Sequence, residues 1–189
     1  MQFSKRTNTC GELRLSDEGK PVVLNGWVSQ VRDLGGVIFV NLRDRYGITQ
    51  ITVSPDTKEA YETAKSLGLE FVISAGGKVQ KRSSVNPNME TGEIEVLAEK
   101  IEILNTSEVT PFVVEEELKA SEELRFKYRY LDIRRKKIAD NLVLRSKVYN
   151  IVHRYFEREN FIEVETPILM KSTPEGARDY LVPSRVHKG

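Results

Sequence analysis

Hydrophobic and polar residues alternate along Gly36–Arg43. Ile38, Val40 and Leu42 fall on one face, and Val37, Phe39, Asn41 and Arg43 on the other, because successive side chains of a strand point to opposite sides. Leu34-Gly35-Gly36 before this stretch and Arg45-Tyr46-Gly47 after it read as tight turns, where glycine can take positive φ without steric cost. Pro21–Val31, rich in Val, Leu and Trp, reads as the preceding strand and Ile48–Ser54 as the following one. Over Asp56–Leu67 the period changes. Ala60, Tyr61, Ala64 and Leu67 recur at helical spacing, and Asp56 or Ser54 is placed to cap the start. Glu70–Lys81 and Glu93–Leu104 complete the series as a fourth and a fifth strand, separated by the polar loop Arg82–Gly92.

The order β-β-β-α-β-β fits a small Greek-key barrel, the OB-fold, with its helix between the third and fourth strands. Another small β-barrel or an open α+β sheet also satisfies the pattern. The Ile38 face is expected to be core. The opposite face carries an aromatic ring among polar and basic groups, a composition suited to stacking a base and pairing its edge. The hairpin is therefore a candidate reader of single-stranded RNA.

Beyond the fifth strand the character changes. Leu104–Leu118 reads as a linker, with Pro111 and the acidic run Glu115-Glu116-Glu117, which is expected to be a solvated face. Ser121–Tyr130 predicts a short helix capped by Ser121. The basic run Arg134-Arg135-Lys136-Lys137 offers charge to RNA phosphate, with a solvated helix start as the plainer reading. Ile138–Asn160 is a long amphipathic helix: Ile138, Leu142, Val148, Val152 and Tyr155 keep helical spacing. Phe161–Pro167 reads as a strand stopped by proline. A helix-strand unit needs a sheet to pack on, so the chain is expected to be part of a longer protein.

Composition excludes more than it selects. The 189 residues are 30% charged and 39% hydrophobic, with a formal net charge of +1. That suits a globular chain, and any basic footprint must be local. The lone Cys10 cannot form an intramolecular disulfide, which points to a reducing cytoplasm. It has no base beside it in sequence and is expected to be a small buried residue. No apolar run approaches the roughly 20 residues of a membrane span, so no membrane partner is expected. One Cys and two well-separated His residues make no zinc site, and neither a Walker loop nor a dinucleotide fingerprint is present.

Three stretches together resemble bacterial-type aspartyl-tRNA synthetase, a class II enzyme: GWVSQVRDLGGVIFVNLRDRYGITQ at Gly26–Gln50, KYRYLDIRR at Lys127–Arg135, and FIEVETPILMKSTPEGARDYLVPSRVHKG at Phe161–Gly189. The long helix followed by a strand ending in proline looks like class II motif 1, and TPEGARDYLVPSR is characteristic of the aspartyl enzyme. The first stretch alone also suits the lysyl and asparaginyl relatives. The resemblance implies three parts: an OB-fold anticodon-binding domain over 1–104, a linker over 105–137, and the start of a class II catalytic domain over 138–189. It implies that Phe39 stacks on the middle anticodon base of the aspartate tRNA, that Gln50 reads uracil there, and that Arg32 and Glu95 contact the anticodon loop, with Asn86 as a further contact. The position of Gln30 holds a basic residue in many relatives. Leu34 stands where members that also charge the asparagine tRNA carry His, which leans toward restriction to the aspartate tRNA. Glu175 matches the amino-acid-site glutamate. Lys171, Ser172, Thr173, Pro174 and Gly176 match a mobile loop that closes over aspartate, with the glycine loosening one side and the proline stiffening the other.

In the parent enzyme the resemblance implies ATP, magnesium and aspartate as ligands, a homodimer formed through motif 1, and a cytoplasmic setting. A free-standing OB-fold RNA-binding module is the competing reading. The parent chemistry needs one arginine from motif 2 and another from motif 3 to hold ATP, and these 189 residues contain neither motif, so no cofactor is expected here. The chain alone is expected to support no aspartate-dependent ATP–pyrophosphate exchange above blank. Exchange clearly above blank would overturn that expectation.

Overall fold

The computed structural model describes residues 5–117, 119–171 and 182–186. Contacts divide the chain into two compact units, Met1–Val143 and Leu144–Gly189. The first contains β1 (Pro21–Leu34), β2 (Val37–Arg43), β3 (Ile48–Val53), α1 (Lys58–Lys65), β4 (Val72–Lys81) and β5 (Ile94–Asn105). The strands close into a barrel in the order β1-β2-β3-β5-β4. The β3–β5 pair is parallel and the other four are antiparallel. Ile38, Val40 and Leu42 are buried, as the alternation predicts, and meet Leu24, Ile51 and Val96 in the core. Helix α1 adds Ala60 and Ala64 to that core.

Three residues extend β1 beyond the predicted Val31. The reason is the two-residue turn Gly35-Gly36, with φ of 65° and 87°, which lets the ladder run to the Leu34–Val37 pair. Both turn residues sit where a side chain is strained, the signature of a type I′ hairpin. The next turn works differently from the expectation, since Gly47 is not at positive φ. Asp44 closes it, with Oδ1 accepting from the Tyr46 N–H (2.7 Å) and the Gly47 N–H (3.1 Å). Gly47 is required for close approach instead, because a Cβ there would lie 2.6 Å from the Gly11 Cα. At α1, neither Ser54 nor Asp56 caps the helix. They hydrogen-bond each other (Ser54 Oγ to Asp56 Oδ2, 2.9 Å), and Thr57 takes the cap position.

Strand β1 carries a bulge. Val28 pairs with Leu42 and Gln30 with Asn41, leaving Ser29 as the extra residue. The Ser29 hydroxyl donates to the Asn41 carbonyl (3.0 Å). Before the bulge, Val22, Leu24 and Val28 point into the core; after it, Val31 packs against the core. One inserted residue has shifted the parity of the strand.

The linker is held to the barrel by buried charge. It contains α2 (Glu122–Lys127), capped by Ser121 as predicted, and α3 (Arg129–Asp132). The Asp132 side chain is fully buried and receives Arg125 (3.1 Å), Arg129 (2.7 Å) and Arg135 (2.9 Å). A second cluster joins linker to barrel: Glu70 takes Arg43 of β2 and Arg134 of the linker, each at 2.6 Å. The Arg134 guanidinium lies 4.5 Å from the Trp27 ring centroid. Arg134 and Arg135 are thus committed inside the protein rather than solvated. Glu115, Glu116 and Glu117 are exposed, as the acidic run predicts, and Glu116 also has a local role. Its carboxylate accepts from the backbone N–H of Lys136 (2.6 Å) and Lys137 (3.4 Å), the first turn of α4 (Lys136–Arg158), where a carboxylate offsets the helix dipole.

In the second unit, α4 ends at Arg158, and Asn160 just beyond it takes φ 63°. The Asn160 N–H donates to Glu157 O and the Phe161 N–H to Phe156 O, the paired bonds of a Schellman motif. The Phe156 and Phe161 rings pack edge to face across it, 5.2 Å between centroids. Leu142, Val148, Val152 and Tyr155 of the predicted apolar stripe are exposed, and Ile138 is half-buried. The predicted strand Phe161–Pro167 does not form. A strand needs a neighbour for its backbone groups, and none of the described residues supplies one.

Asp132→Ala should therefore cost about 3–5 kcal/mol in urea denaturation, because it leaves the buried Arg135 guanidinium without its carboxylate. The same carboxylate sets an acid limit. Burial alone would raise its pKa, but hydrogen bonds from Arg125 and Arg135 outweigh burial and hold it below the ordinary 3.8. A depressed carboxylate contributes its full stabilisation above its unfolded pKa and loses it as pH falls through the folded value. Stability should decline as pH drops below 3.8, and Asp132→Asn should flatten that limb of the pH profile.

Candidate nucleic-acid interface

The outward face of β1 and β2 is built in rows by the strand register. Trp27 pairs with Arg43, Gln30 with Asn41, and Arg32 with Phe39. Strand β3 continues two of these rows, with Gln50 opposite Asn41 and Thr52 opposite Phe39. The first row is covered by Glu70 and Arg134. The second and third are open: Gln30 and Arg32 are exposed, and Asn41 and Phe39 half-buried.

Beside Phe39 the face becomes a bonded network. Glu95 of β5 is only 8% exposed. Its Oε2 accepts from Gln50 Nε2 (2.7 Å) and Thr52 Oγ1 (2.6 Å), and its Oε1 from Gln80 Nε2 (2.8 Å). Gln50 Oε1 accepts from Arg32 Nη2 (3.3 Å). Of the sequence-predicted residues, Arg32, Gln50 and Glu95 are thus joined in one chain of hydrogen bonds, with Phe39 beside it. The alternation places Gln50 on the Phe39 side, and the register agrees. Its burial, however, is 3% exposed rather than open to solvent. What this face presents to a ligand is the Phe39 ring, the Arg32 guanidinium and a polar floor whose side chains are held in place.

Arg32 makes no ion pair with Asp33. The Asp33 carboxylate accepts from the Gly36 N–H instead (3.2 Å) and braces the hairpin turn. Leu34 is 61% exposed at the tip of β1. Asn86 stands apart from the network: its Oδ1 accepts from the Asn88 N–H (3.0 Å) and shapes the β4–β5 loop. Thr52 and Gln80 were not singled out from sequence. Thr52 has a signal, being two residues from Gln50 on the same face. Gln80 has none until the β4–β5 register pairs it with Glu95. Cys10 is buried, as expected; burial, reinforced by the Asp44 carboxylate, pushes its thiol pKa up. Among the described residues no cluster of His, Cys, Asp and Glu could hold a metal ion, and no helix is long and apolar enough to cross a membrane.

Comparison with known proteins agrees with this geometry. Residues 22–104 match the family described as OB-fold nucleic acid binding domain. Residues 121–189 match the family of class II tRNA synthetases (D, K and N). The chain is 54% identical to the aspartate–tRNA(Asp/Asn) ligase of Salinibacter ruber, over 97% of this chain and 30% of that protein. It is 53% identical to the aspartate–tRNA ligase of Lactobacillus johnsonii, over 99% of this chain and 31% of that one. The chain is homologous to the N-terminal part of aspartate–tRNA ligases. It spans about 30% of the length of these curated relatives and matches their N-terminal part. The asparaginyl-tRNA synthetase of Pyrococcus horikoshii bound to asparaginyl-adenylate superposes with a TM-score of 0.75 at 30% identity, covering 89% of this chain and 38% of that one.

The match of residues 121–189 to a synthetase domain disfavours the free-standing RNA-binding module, which has no use for such a domain. Relatives named for one tRNA and for two match at nearly equal identity, so overall similarity does not separate those specificities. Of the mobile-loop residues, Lys171 is exposed. Ser172, Thr173, Pro174, Glu175 and Gly176 lie outside the described residues.

Glu95 can be tested as the anchor of the network. Glu95→Ala leaves the Gln50, Thr52 and Gln80 donors without their acceptor and should cost about 2–3 kcal/mol in thermal or urea unfolding. Glu95→Gln keeps the shape and one acceptor oxygen, and should cost less.

Proposed function

We propose that this chain is the anticodon-reading part of an aspartate–tRNA ligase. The observation that carries the reading is the half-buried Phe39 ring beside the exposed Arg32, above the Gln50–Glu95 network. A base that stacks on Phe39 turns its edge toward amide, hydroxyl and carboxylate groups already fixed by hydrogen bonds. Such a surface pays little ordering cost on binding, and stacking tolerates any base while edge contacts select one. The resemblance supplies the target, the middle base of the aspartate anticodon. Arg32 serves a phosphate or a base edge through its forked donors. Asn86 lies on a loop of the same barrel and serves as an outer contact. Leu34, exposed at the hairpin tip, is placed to influence which tRNA is accepted.

In the whole protein, the second unit contributes to aspartate activation with ATP and magnesium and to transfer of the aspartyl group to tRNA. Glu175 binds aspartate there, and Lys171–Gly176 closes over it. Helix α4, with its uncovered apolar stripe, serves the subunit interface of a homodimer in the cytoplasm.

The test is a titration with anticodon stem-loops. A loop reading GUC should bind better than one with its middle base changed. Phe39→Ala should weaken binding by about 1–3 kcal/mol, roughly 5- to 150-fold, with an unchanged unfolding midpoint as the control. Equal affinity for both loops together with an inert Phe39→Ala would defeat the reading.

A further inference from the structure

Arg45 and Tyr46 lie in the turn between β2 and β3, about 20 Å along the strand direction from Phe39. This is the end at which the chain leaves the barrel for the linker: Trp27 pairs with Val72, and Val72 with Asn105, the last residue of β5. Tyr46 is 50% exposed. The Arg45 guanidinium lies 4.7 Å from its ring centroid and the Arg6 guanidinium 6.0 Å. Among the described residues no other ring has two cations over it.

Attraction to a ring face holds a guanidinium in place without using its N–H donors. Arg45 is exposed, and among the described residues it makes no hydrogen bond or ion pair. Arg6 is partly neutralised, since Asp44 lies 3.8 Å away and Glu12 is near it. Both carboxylates are occupied elsewhere. Asp44 accepts from the backbone N–H of Cys10 (3.0 Å), Tyr46 (2.7 Å) and Gly47 (3.1 Å), and Glu12 from Asn8 Nδ2 and Thr9 Oγ1, each at 2.7 Å. The uncommitted charge is therefore that of Arg45. A forked guanidinium with unspent donors and a preset orientation suits a phosphodiester, to which it donates two parallel hydrogen bonds. The strand that leads to it carries Phe39, which makes RNA the source of that phosphate.

We propose that Arg45, held on Tyr46 with Arg6 beside it, binds a backbone phosphate of the RNA whose loop lies on Phe39. The separation from Phe39 spans several nucleotides, so the contact falls on the stem rather than on the bases being read. It strengthens binding of every sequence alike and adds to the salt dependence, because phosphate contacts position an RNA without selecting its bases. The proposal deepens the reading above: it rests on RNA binding at the β1–β2 face, but not on which base is selected there.

Fluorescence anisotropy titrations of the 189-residue chain separate the two. The probes are the GUC stem-loop, the same stem-loop with its middle base changed, and a polyglutamate peptide. Wild type, Arg45→Ala, Arg45→Lys and Phe39→Ala are compared at about 50 and about 200 mM salt. Arg45 is exposed, so its replacement should leave the unfolding midpoint in place. Arg45→Ala should weaken both stem-loops alike and keep the middle-base penalty. Its affinity should fall less between the two salt concentrations than that of wild type, by about threefold, the share of one phosphate contact. Arg45→Lys keeps the charge and should retain the wild-type salt dependence. The proposal falls if Arg45→Ala leaves the salt dependence unchanged, or if it removes the middle-base penalty. It also falls if polyglutamate binds wild type as tightly as the stem-loops do and loses that binding in Arg45→Ala, which would assign the patch to an acidic protein segment. Equal affinity for both stem-loops with an inert Phe39→Ala, while Arg45→Ala still lowers the salt dependence, would defeat the anticodon reading and leave the phosphate contact standing.

Discussion

The interface depends on one extra residue in β1. In a regular ladder, a strand that buries Val22, Leu24 and Val28 must also bury positions 30 and 32. The bulge at Ser29 releases the strand from that constraint and holds the break with a hydroxyl bonded to the opposite carbonyl. Beyond it, Val31 serves the core while Gln30 and Arg32 join Phe39 on the outer face. The barrel thus keeps an uninterrupted core and still assembles a polar, aromatic surface on the same two strands. A bulge also increases local twist, which suits strands that must curve around a small barrel.

The outer face divides into a closed half and an open half. At the closed end, Glu70 gathers Arg43 and Arg134, and Trp27 lies under the second guanidinium. The desolvation cost of such charges is offset only when geometry is good and every partner is present. Here the carboxylate has two arginines, Arg43 and Arg134, each at 2.6 Å. At the open end, Glu95 does a comparable job with neutral donors, arranging Gln50, Thr52 and Gln80 around one carboxylate. Both ends are organised by an acidic residue with almost no solvent exposure. One fastens the linker to the barrel, and the other keeps the floor beside Phe39 in a single arrangement.

The barrel was largely legible in the sequence because its signals are local. Alternation along Val37–Arg43, the Gly35-Gly36 turn and the helical period over Ala60–Ala64 each involve neighbouring residues. What stayed hidden is long-range. Nothing near Glu70 announces Arg43 and Arg134, which meet it from 27 and 64 residues away. For the same reason Arg134 read as a solvated charge. The site was half legible. The period-two pattern placed Phe39 and Gln50 on one face, and resemblance supplied Arg32 and Glu95. The depth at which Gln50 lies follows from Glu95 packing against it from β5, through the parallel β3–β5 pairing that no local pattern encodes. The strand predicted over Phe161–Pro167 failed for the converse reason: its local pattern is favourable, but strand formation is a property of a sheet.

The Glu70 cluster also constrains how this chain can diverge. Glu70 holds φ 62°, a left-handed conformation that costs most residues energy. Glycine would relieve the backbone but remove the carboxylate on which two arginines depend. Losing either arginine leaves a buried negative charge partly compensated. Each single replacement is thus worse than the sum of well-chosen replacements, the pattern in which effects are strongly non-additive. Over evolutionary time Arg43, Glu70 and Arg134 should change together or stay as they are. A β-strand, a barrel loop and a linker segment far apart in the chain would then be inherited as a single block.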